Sequence, residues 1–367
     1  MSSSKEQLQA IFNQVMQLAS TSLVGVDIGA GFIKVCELTK SGMKGVAIKG
    51  FGMAPIPEGA VLDGEVHNEE DVIAALREAL KNAKIRSKNI CFGIGGPDCV
   101  VRKMSAPHGS DQEIMDHITW ESEQYIPFGI DNAEVSVHIM KKTAAEIRDV
   151  IMAAARLDSC EYYVDFFKES GFNLKIIDMQ LLALINIFEH NYSDVMAEFR
   201  EGTLLVDFGS QYTKLVVYKN GIPLLTKWLQ IGGITVTEEL QKEIGLSYSE
   251  AENLKCSRDE EGNYPEEVLE TIKVVVTKMV MAISDAVNIY THSSSTDRLH
   301  RCLVSGGSLQ LPGVMEALSE VLSIPVEPLD PLRKIDIKMK QMPVGLEEQL
   351  PYVAPIAMGL ALRNFEK

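Results

Sequence analysis

No CxxC pair occurs in the chain, and its six cysteines (Cys36, Cys91, Cys99, Cys160, Cys256, Cys302) are scattered singly. That spacing argues against a zinc site and a disulfide framework, leaving reduced, mostly structural thiols. No Lys/Arg cluster is present, and a formal net charge of −16 repels a phosphate backbone, so a nucleic-acid partner is not expected. No apolar run is long enough to cross a bilayer. The N-terminus lacks the basic start and apolar core of a signal peptide. The cytoplasm is therefore the expected compartment. The seven histidines show no metal-ligand spacing, and the sixteen methionines read mainly as core filler.

What is there is an ordinary globular balance, 46% hydrophobic and 23% charged, over 367 residues. That length predicts two or more domains. Lys5 to Ala19 reads as an amphipathic helix with Leu8, Ile11, Phe12, Val15 and Leu18 on one stripe. Its polar face carries almost no net charge, which argues against anionic membranes. Packing on its own protein is the commoner use of such a helix, self-association the rarer one.

A strand is predicted from Leu23 to Ile28, a turn at Gly29-Ala30-Gly31, a returning strand over Phe32–Leu38 and a third around Val46–Phe51. A helix over Asn68–Ala83 is capped by Asn68. Strands at Ile90–Ile94 and Val100–Ala106, a helix opened by the capping box Ser110-x-x-Glu113, and strands at Ala133–Met140 and Asp149–Ala155 form a compact stretch. Helix Ser159–Ser170, strand Leu174–Ile177 and helix Leu181–Phe188 follow. A second three-stranded meander runs from Leu204 to Gln230 through an Asn220-Gly221 turn. Helices then extend to about Ser293, followed by strand Arg301–Ser305, Gly306-Gly307, helix Gly313–Leu322 and a closing helix, Ala354–Leu362.

The two meanders are a repeat. Gly25-Val26-Asp27-Ile28-Gly29 leads, three residues later, to Ile33-Lys34-Val35; Leu205-Val206-Asp207-Phe208-Gly209 leads in the same way to Thr213-Lys214-Leu215. The separation, 207 − 27 and 214 − 34, is 180 residues in both cases, which implies two similar lobes. A strand ending in Asp-apolar-Gly places a carboxylate at the carboxyl edge of a sheet, where a hydrated divalent cation can sit. The glycine frees the next N–H groups to approach a phosphate. Two such loops face to face would grip phosphates and Mg²⁺, which keeps most of its waters and needs few direct carboxylates. Gly306-Gly307-Ser308, between a strand and a helix, would let a flat base lie against the backbone.

At these residues the chain resembles the superfamily of actin, the DnaK-type chaperones and the sugar kinases. Its details are similar to PilM, the actin-like component of type IV pilus assembly related to the division protein FtsA. The resemblance is carried by Gly25–Val35, by Trp120-Glu121-Ser122-Glu123-Gln124-Tyr125-Ile126-Pro127-Phe128, and by Gly232–Lys255. It implies an α/β, duplicated, two-lobed fold with a small inserted α+β subdomain. The implied divisions are an N-terminal extension (1–21), a first lobe (22–88 and 158–201) interrupted by the insert (89–157), a second lobe (202–233 and 298–350) carrying a helical subdomain (234–297), and a closing helix (351–367).

The resemblance also implies roles. Asp27 and Asp207 would hold hydrated Mg²⁺. Gly29, Gly31 and Lys34 would meet the β- and γ-phosphates of ATP from one lobe, and Gly209, Ser210, Gln211 and Thr213 from the other. Glu252 and Lys255 would approach the ribose, and Gly306, Gly307 and Ser308 would bracket the adenine. Gln180 would orient water with Asp207 nearby, giving at most a slow ATPase, because a neutral amide is a poor base. Ala30, Gly31 and Phe32 stand where pilus relatives usually carry hydroxyls. A hydrogen bond to a charged group lost there costs roughly 1.5–3 kcal/mol, so the first loop relies on backbone N–H groups and Lys34.

The implied partner is the cytoplasmic N-terminal tail of a PilN-like inner-membrane protein, held in a groove beside the insert in a nucleotide-dependent way. Apolar residues near Ile90–Val101 and Trp120–Phe128 are candidates for that groove. Membrane attachment would be indirect, through this partner. The alternatives are an FtsA- or MreB-like cytoskeletal protein, disfavoured because the chain ends at Arg363–Lys367 without an amphipathic tail, and a small-molecule kinase of the same superfamily.

Overall fold

Strands whose residues are buried on both faces read as near-continuous apolar runs, and the two repeat strands do so but for Asp27, Thr203 and Asp207. Val24–Ile28 (β1) and Gly202–Phe208 (β11) are buried at every position, the aspartates included. A computed structural model describes residues 22–42, 45–140, 147–195, 202–259, 262–293, 298–340, 342–343 and 345–365. The amphipathic segment expected over Lys5–Ala19 lies outside them.

The first lobe opens with the antiparallel meander β1, β2 (Phe32–Ser41) and β3 (Gly45–Pro55), in which Asp27 stands opposite Lys34. A small hairpin, β4 (Val61–Leu62) and β5 (Glu65–Val66), precedes helix α1 (Glu69–Asn82), whose N-terminus is capped by the Asn68 side chain. β6 (Asn89–Ile94) then lies parallel to β1. The insert follows as β7 (Cys99–Pro107), α2 (Asp111–Ser122), β8 (Ala133–Ile139) and β9 (Ile147–Arg156), with strands in the order β7-β9-β8. The chain returns through α3 (Leu157–Glu169) and β10 (Asn173–Met179) into α4 (Gln180–Tyr192).

The second lobe repeats the meander with β11, β12 (Thr213–Lys219) and β13 (Ile222–Leu229), placing Asp207 opposite Lys214. Helices α5 (Gly233–Ile244), α6 (Tyr248–Cys256) and α7 (Glu266–Ser293) cover one face. Strand β14 (Leu299–Ser305) pairs parallel to β11, and α8 (Val314–Leu322) and β15 (Val326–Pro328) complete the lobe. The chain then crosses back, adding β16 (Ile335–Ile337) to the first sheet and ending in α9 (Leu346–Val353) and α10 (Pro355–Leu362). Sheet orders are β10-β6-β1-β2-β3-β16 and β13-β12-β11-β14-β15.

Boundary signals explain much of this. The capping box at Ser110 and Glu113 forms on both sides, and Asn220 and Gly221 take positive φ at the hairpin between β12 and β13. One boundary moves: Asn89–Ile94, expected to open the insert, is instead the neighbour of β1 in the first sheet, with Ile90, Cys91, Phe92 and Ile94 buried in that core. A strand buried from Ile90 on, with parallel neighbours on both sides, belongs to the lobe, and the insert starts at Cys99.

The insert has its own core of Met104, Ala106, Ile114, Ile118, Ile126, Phe128, Val150, Met152 and Ala154. Its neck is closed by Arg156 Nε donating to Asp98 Oδ1 at 2.6 Å, with Ser159 Oγ donating to the other oxygen. Of the groove candidates, Ile90, Phe92, Ile94 and Val101 lie in the first lobe's core and Ile126 and Phe128 in the insert's. Trp120 differs: it is 74% exposed.

The lobes share a core where their helices cross. Leu204, Val206 and Phe208 of β11 face α5 and α7, whereas the alternate residue Leu205 joins the first lobe's core together with Val216, Tyr218 and Leu303. α10 is apolar around its whole circumference, so it is buried on all sides, against β1, β2 and α4. The approach to α4 requires glycine, since a Cβ on Gly359 would stand 1.9 Å from Ala183 O. Gly359→Val should therefore cost about 3 kcal/mol or more in urea unfolding. Gly42→Ala, where a Cβ meets nothing within 4 Å, should change stability by less than about 0.5 kcal/mol. Equal losses at the two positions would rule out the close helix crossing.

Candidate functional site

The repeated loops close alike. Gly29 N donates to Phe32 O at 3.1 Å and Gly209 N to Tyr212 O at 3.1 Å, so each loop is a tight turn at the carboxyl edge of its sheet. Antiparallel register puts Lys across from Asp on the same face, and each pair forms an ion pair. Lys34 Nζ donates to Asp27 Oδ2 at 3.1 Å, and Lys214 Nζ to Asp207 Oδ2 at 2.7 Å. The second carboxylate oxygens are taken by other elements. Gln180 Nε2 at the start of α4 donates to Asp27 Oδ1 at 3.2 Å and to Gly93 O at 3.3 Å. Ser305 Oγ, opposite Asp207 in the parallel register of β14, donates to Asp207 Oδ1 at 2.9 Å.

The two pairs feel each other across the cleft. Burial alone lowers the basicity of Lys34, but Asp27 and then Asp207 outweigh it and raise its pKa above the ordinary lysine value. Burial alone raises Asp207, but Lys214, then Lys34 and Ser305, hold its carboxyl below the usual range. Lys34 thus serves carboxylates of both lobes. The loops themselves approach closely: a Cβ on Gly31 would lie 3.3 Å from Ser210 Oγ. A cavity of about 60 Å³ remains between them, lined by Gly29, Ala30, Gly95, Gln180, Ser210 and Trp228 among others.

Beside the second loop, Gly306 has φ +101° and a Cβ there would stand 2.3 Å from Phe208 O, so only glycine fits. Gly307 is its opposite: a Cβ would meet nothing within 4 Å, which leaves an open backbone shelf. Ser308 Oγ donates to Gly209 O at 2.7 Å, tying the shelf to the loop. Lys255 Nζ donates to Gly233 O at 3.1 Å and pairs with Glu252, whose Oε2 accepts from Thr237 Oγ1 at 2.6 Å. A Cβ on Gly233 would touch Ser308 Oγ at 2.4 Å, so this pair adjoins the shelf.

The structure thus brings Asp27, Gly29, Gly31, Lys34, Gln180, Asp207, Gly209 and Ser210 to one cleft, with Glu252, Lys255, Gly306, Gly307 and Ser308 on its second-lobe rim. Two expected contacts are redirected. Thr213 Oγ1 is buried and donates to Ile231 O at 2.8 Å, holding the end of β13 instead of facing the cleft. The Gln211 side chain turns to Asp63 of the first lobe. Three participants were absent from the expected site: Lys214, signalled by its repeat of Lys34; Ser305, whose only signal is its place before Gly306; and Trp228, 5.5 Å from Lys214 Nζ at its ring centroid, with no local signal at all.

The family model described as type IV pilus assembly protein PilM matches residues 25–365. The chain superposes with a TM-score of 0.81 on the solved structure described as the PilM-PilN type IV pilus biogenesis complex, at 22% identity, covering 94% of this chain and 99% of that one. Ethanolamine utilization protein EutJ from Carboxydothermus hydrogenoformans matches at a TM-score of 0.53 and 15% identity, over 98% and 99% of the two chains. A diol dehydratase-reactivating factor in nucleotide-free form matches at 0.53 and 10%, over 95% and 100%. The expected family and fold class both hold: with the match spanning nearly all of its length, this chain belongs to the PilM family of type IV pilus assembly proteins and has the two-lobed actin-like fold.

Proposed function

We propose that this protein is an ATP-binding scaffold of the type IV pilus inner-membrane platform, which takes the cytoplasmic N-terminal tail of a PilN-like membrane protein in a nucleotide-dependent way. The observation that carries the nucleotide reading is the pair of facing Gly loops, each backed by a buried aspartate paired with a lysine. A bound polyphosphate needs cations and free backbone N–H groups at close range, and Lys34, Lys214 and the two glycine loops supply both. The open shelf at Gly307 fits a flat base, and the Glu252–Lys255 pair beside it fits a ribose edge.

Magnesium fits as a hydrated ion. Among the described residues no group of three or more His, Cys, Asp or Glu side chains could hold a bare metal, and both aspartates already accept from a lysine. Asp27 and Asp207 would bind the ion through its waters. Mg²⁺ would supply charge neutralisation for the phosphates. Gln180 spends its amide N–H groups on Asp27 and Gly93, which holds it in place but gives it no basicity, so turnover would be slow.

For the partner, the match to a PilM-PilN complex supports a PilN-like protein, of which the N-terminal tail is the part proposed to dock. Ile90, Phe92, Ile94, Val101, Ile126 and Phe128 are buried in cores, whereas Trp120 is the large hydrophobic of the two candidate stretches that stands exposed to a docking peptide. Tryptophan is one of the residue types enriched at binding hot spots. No described helix is long and apolar enough to cross a membrane, so attachment through this partner is the arrangement proposed.

Mg-ATP at 100 times its dissociation constant should stabilise the protein by about 2.7 kcal/mol, read as a rise in melting temperature. Asp207→Asn, which keeps the side-chain shape, should abolish the rise; an unchanged melting temperature in the wild type would remove the nucleotide reading. In calorimetric titration with the N-terminal peptide of the membrane partner, Trp120→Ala should weaken binding about 30-fold. Mg-ATP should change the wild-type affinity. A peptide that binds both forms equally, with and without nucleotide, would contradict this docking mode.

A further inference from the structure

Asp63 stands outside every motif singled out in the sequence, yet it is the first-lobe residue most heavily engaged by the second phosphate loop. It occupies the turn between β4 and β5 with φ +52°, a left-handed conformation uncommon for a non-glycine residue and best tolerated by Asp and Asn. Its backbone N–H donates to Gln211 Oε1 at 3.0 Å, and Gln211 Nε2 donates back to Asp63 Oδ1 at 3.0 Å. The same oxygen accepts from Tyr212 OH at 2.8 Å and from Gln230 Nε2 at 3.3 Å. Three donors from the second lobe therefore converge on one carboxylate oxygen of the first.

The surroundings are shaped for this closure. Tyr212 and Trp228 meet edge to face with ring centroids 6.0 Å apart, and both press on the Gly95-Gly96 turn that ends β6. A Cβ on Gly95 would collide with Trp228 Cη2 at 2.5 Å, and one on Gly64 would reach Gly95 O at 3.0 Å. Burial, then the bond to Asp63, raise the Tyr212 phenol above its ordinary pKa, so it remains a donor at every physiological pH. The residues of this seam, Gly64, Gly95, Gly96, Tyr212 and Trp228, also line the cavity between the phosphate loops. A latch at the seam thus controls the same space.

We infer that Asp63 is a positioning residue: it latches the second phosphate loop to the first lobe and so sets how fast nucleotide leaves the closed cleft. This rests on the proposed nucleotide site, and it deepens that site by assigning its closure to one carboxylate. Because Gln211 gives its side chain to Asp63, its part in phosphate binding is limited to its backbone N–H, which the latch holds in place.

The test is stopped-flow release of a fluorescent ADP from the full chain. Asp63→Gly keeps the left-handed turn but removes the acceptor, and should speed release about tenfold, the equivalent of ~1.4 kcal/mol. Asp63→Asn keeps the turn and one acceptor oxygen, and should recover most of the wild-type rate. Gln211→Ala should speed release less than Asp63→Gly, because Tyr212 and Gln230 still reach the Asp63 carboxylate, and the double variant should fall short of the product of the two single effects, because the singles share the Asp63–Gln211 contact. Unchanged release in Asp63→Gly, or additive effects in the double variant, would overturn the inference. If the wild type binds no nucleotide, the proposed site fails, and the latch is judged separately by hydrogen exchange. The Asp63 amide, bonded to Gln211 Oε1, should exchange slowly in the wild type and at least tenfold faster in Gln211→Ala. Equal exchange in the two proteins would overturn the latch independently of any ligand.

Discussion

Two carboxylates held out of water at the meeting point of two sheets are the constraint on which this molecule is organised. A buried carboxylate without a counter-charge costs several kcal/mol, so Asp27 and Asp207 persist only because Lys34 and Lys214 stand opposite them. The hairpin imposes this: with antiparallel register, a residue seven positions beyond the aspartate returns to its side on the neighbouring strand. Each lobe thereby makes its own neutral pair. Lys34 adds a link between lobes, because Asp207 as well as Asp27 acts on it. The charge pattern therefore makes the closed cleft electrostatically coherent, and it leaves two ammonium groups beside the loops to which a polyanion would bind.

Closure at the loops is matched by a rigid crossing behind them. α4 carries Gln180 at its first turn and passes under α10 at Gly359, where backbone meets backbone. Side chains cannot slip into that contact, so the two connecting helices cross at a fixed, close distance behind the cleft. Hydroxyls near the cleft are spent on this framework: Thr213 secures β13, Ser305 fixes the Asp207 carboxylate, and Ser308 ties the glycine shelf to the second loop. The consequence is a site in which backbone and lysines face the cleft, and most polar side chains act as scaffolding.

The insert is attached differently. It has a complete core of its own and a narrow neck, where Arg156 and Asp98 pair between its two ends. It also leans on the second lobe, Thr226 Oγ1 of β13 donating to Val101 O at 2.5 Å. The insert is thus stabilised from within while touching both lobes.

Spacing along the chain determined the features that depend on local geometry. The Asp–Lys repeat at 180 residues was legible because hairpin register converts a fixed sequence offset into a fixed spatial pair. Caps such as Asn68 and the Ser110–Glu113 box were legible because they close within three residues. Other features arise only when distant segments meet, and no offset encodes them. Asp63 finds Gln211 across 148 positions, Gln180 finds Asp27 across 153, and Trp228 finds Gly95 through a seam lined with glycine. The burial of Ile90–Ile94 and the exposure of Trp120 were decided in the same way, by which strand became central and which helix face was left uncovered. Sequence by itself determined the two Asp-Gly hairpins; tertiary structure alone decided what locks them together, because that lock is made of contacts between lobes.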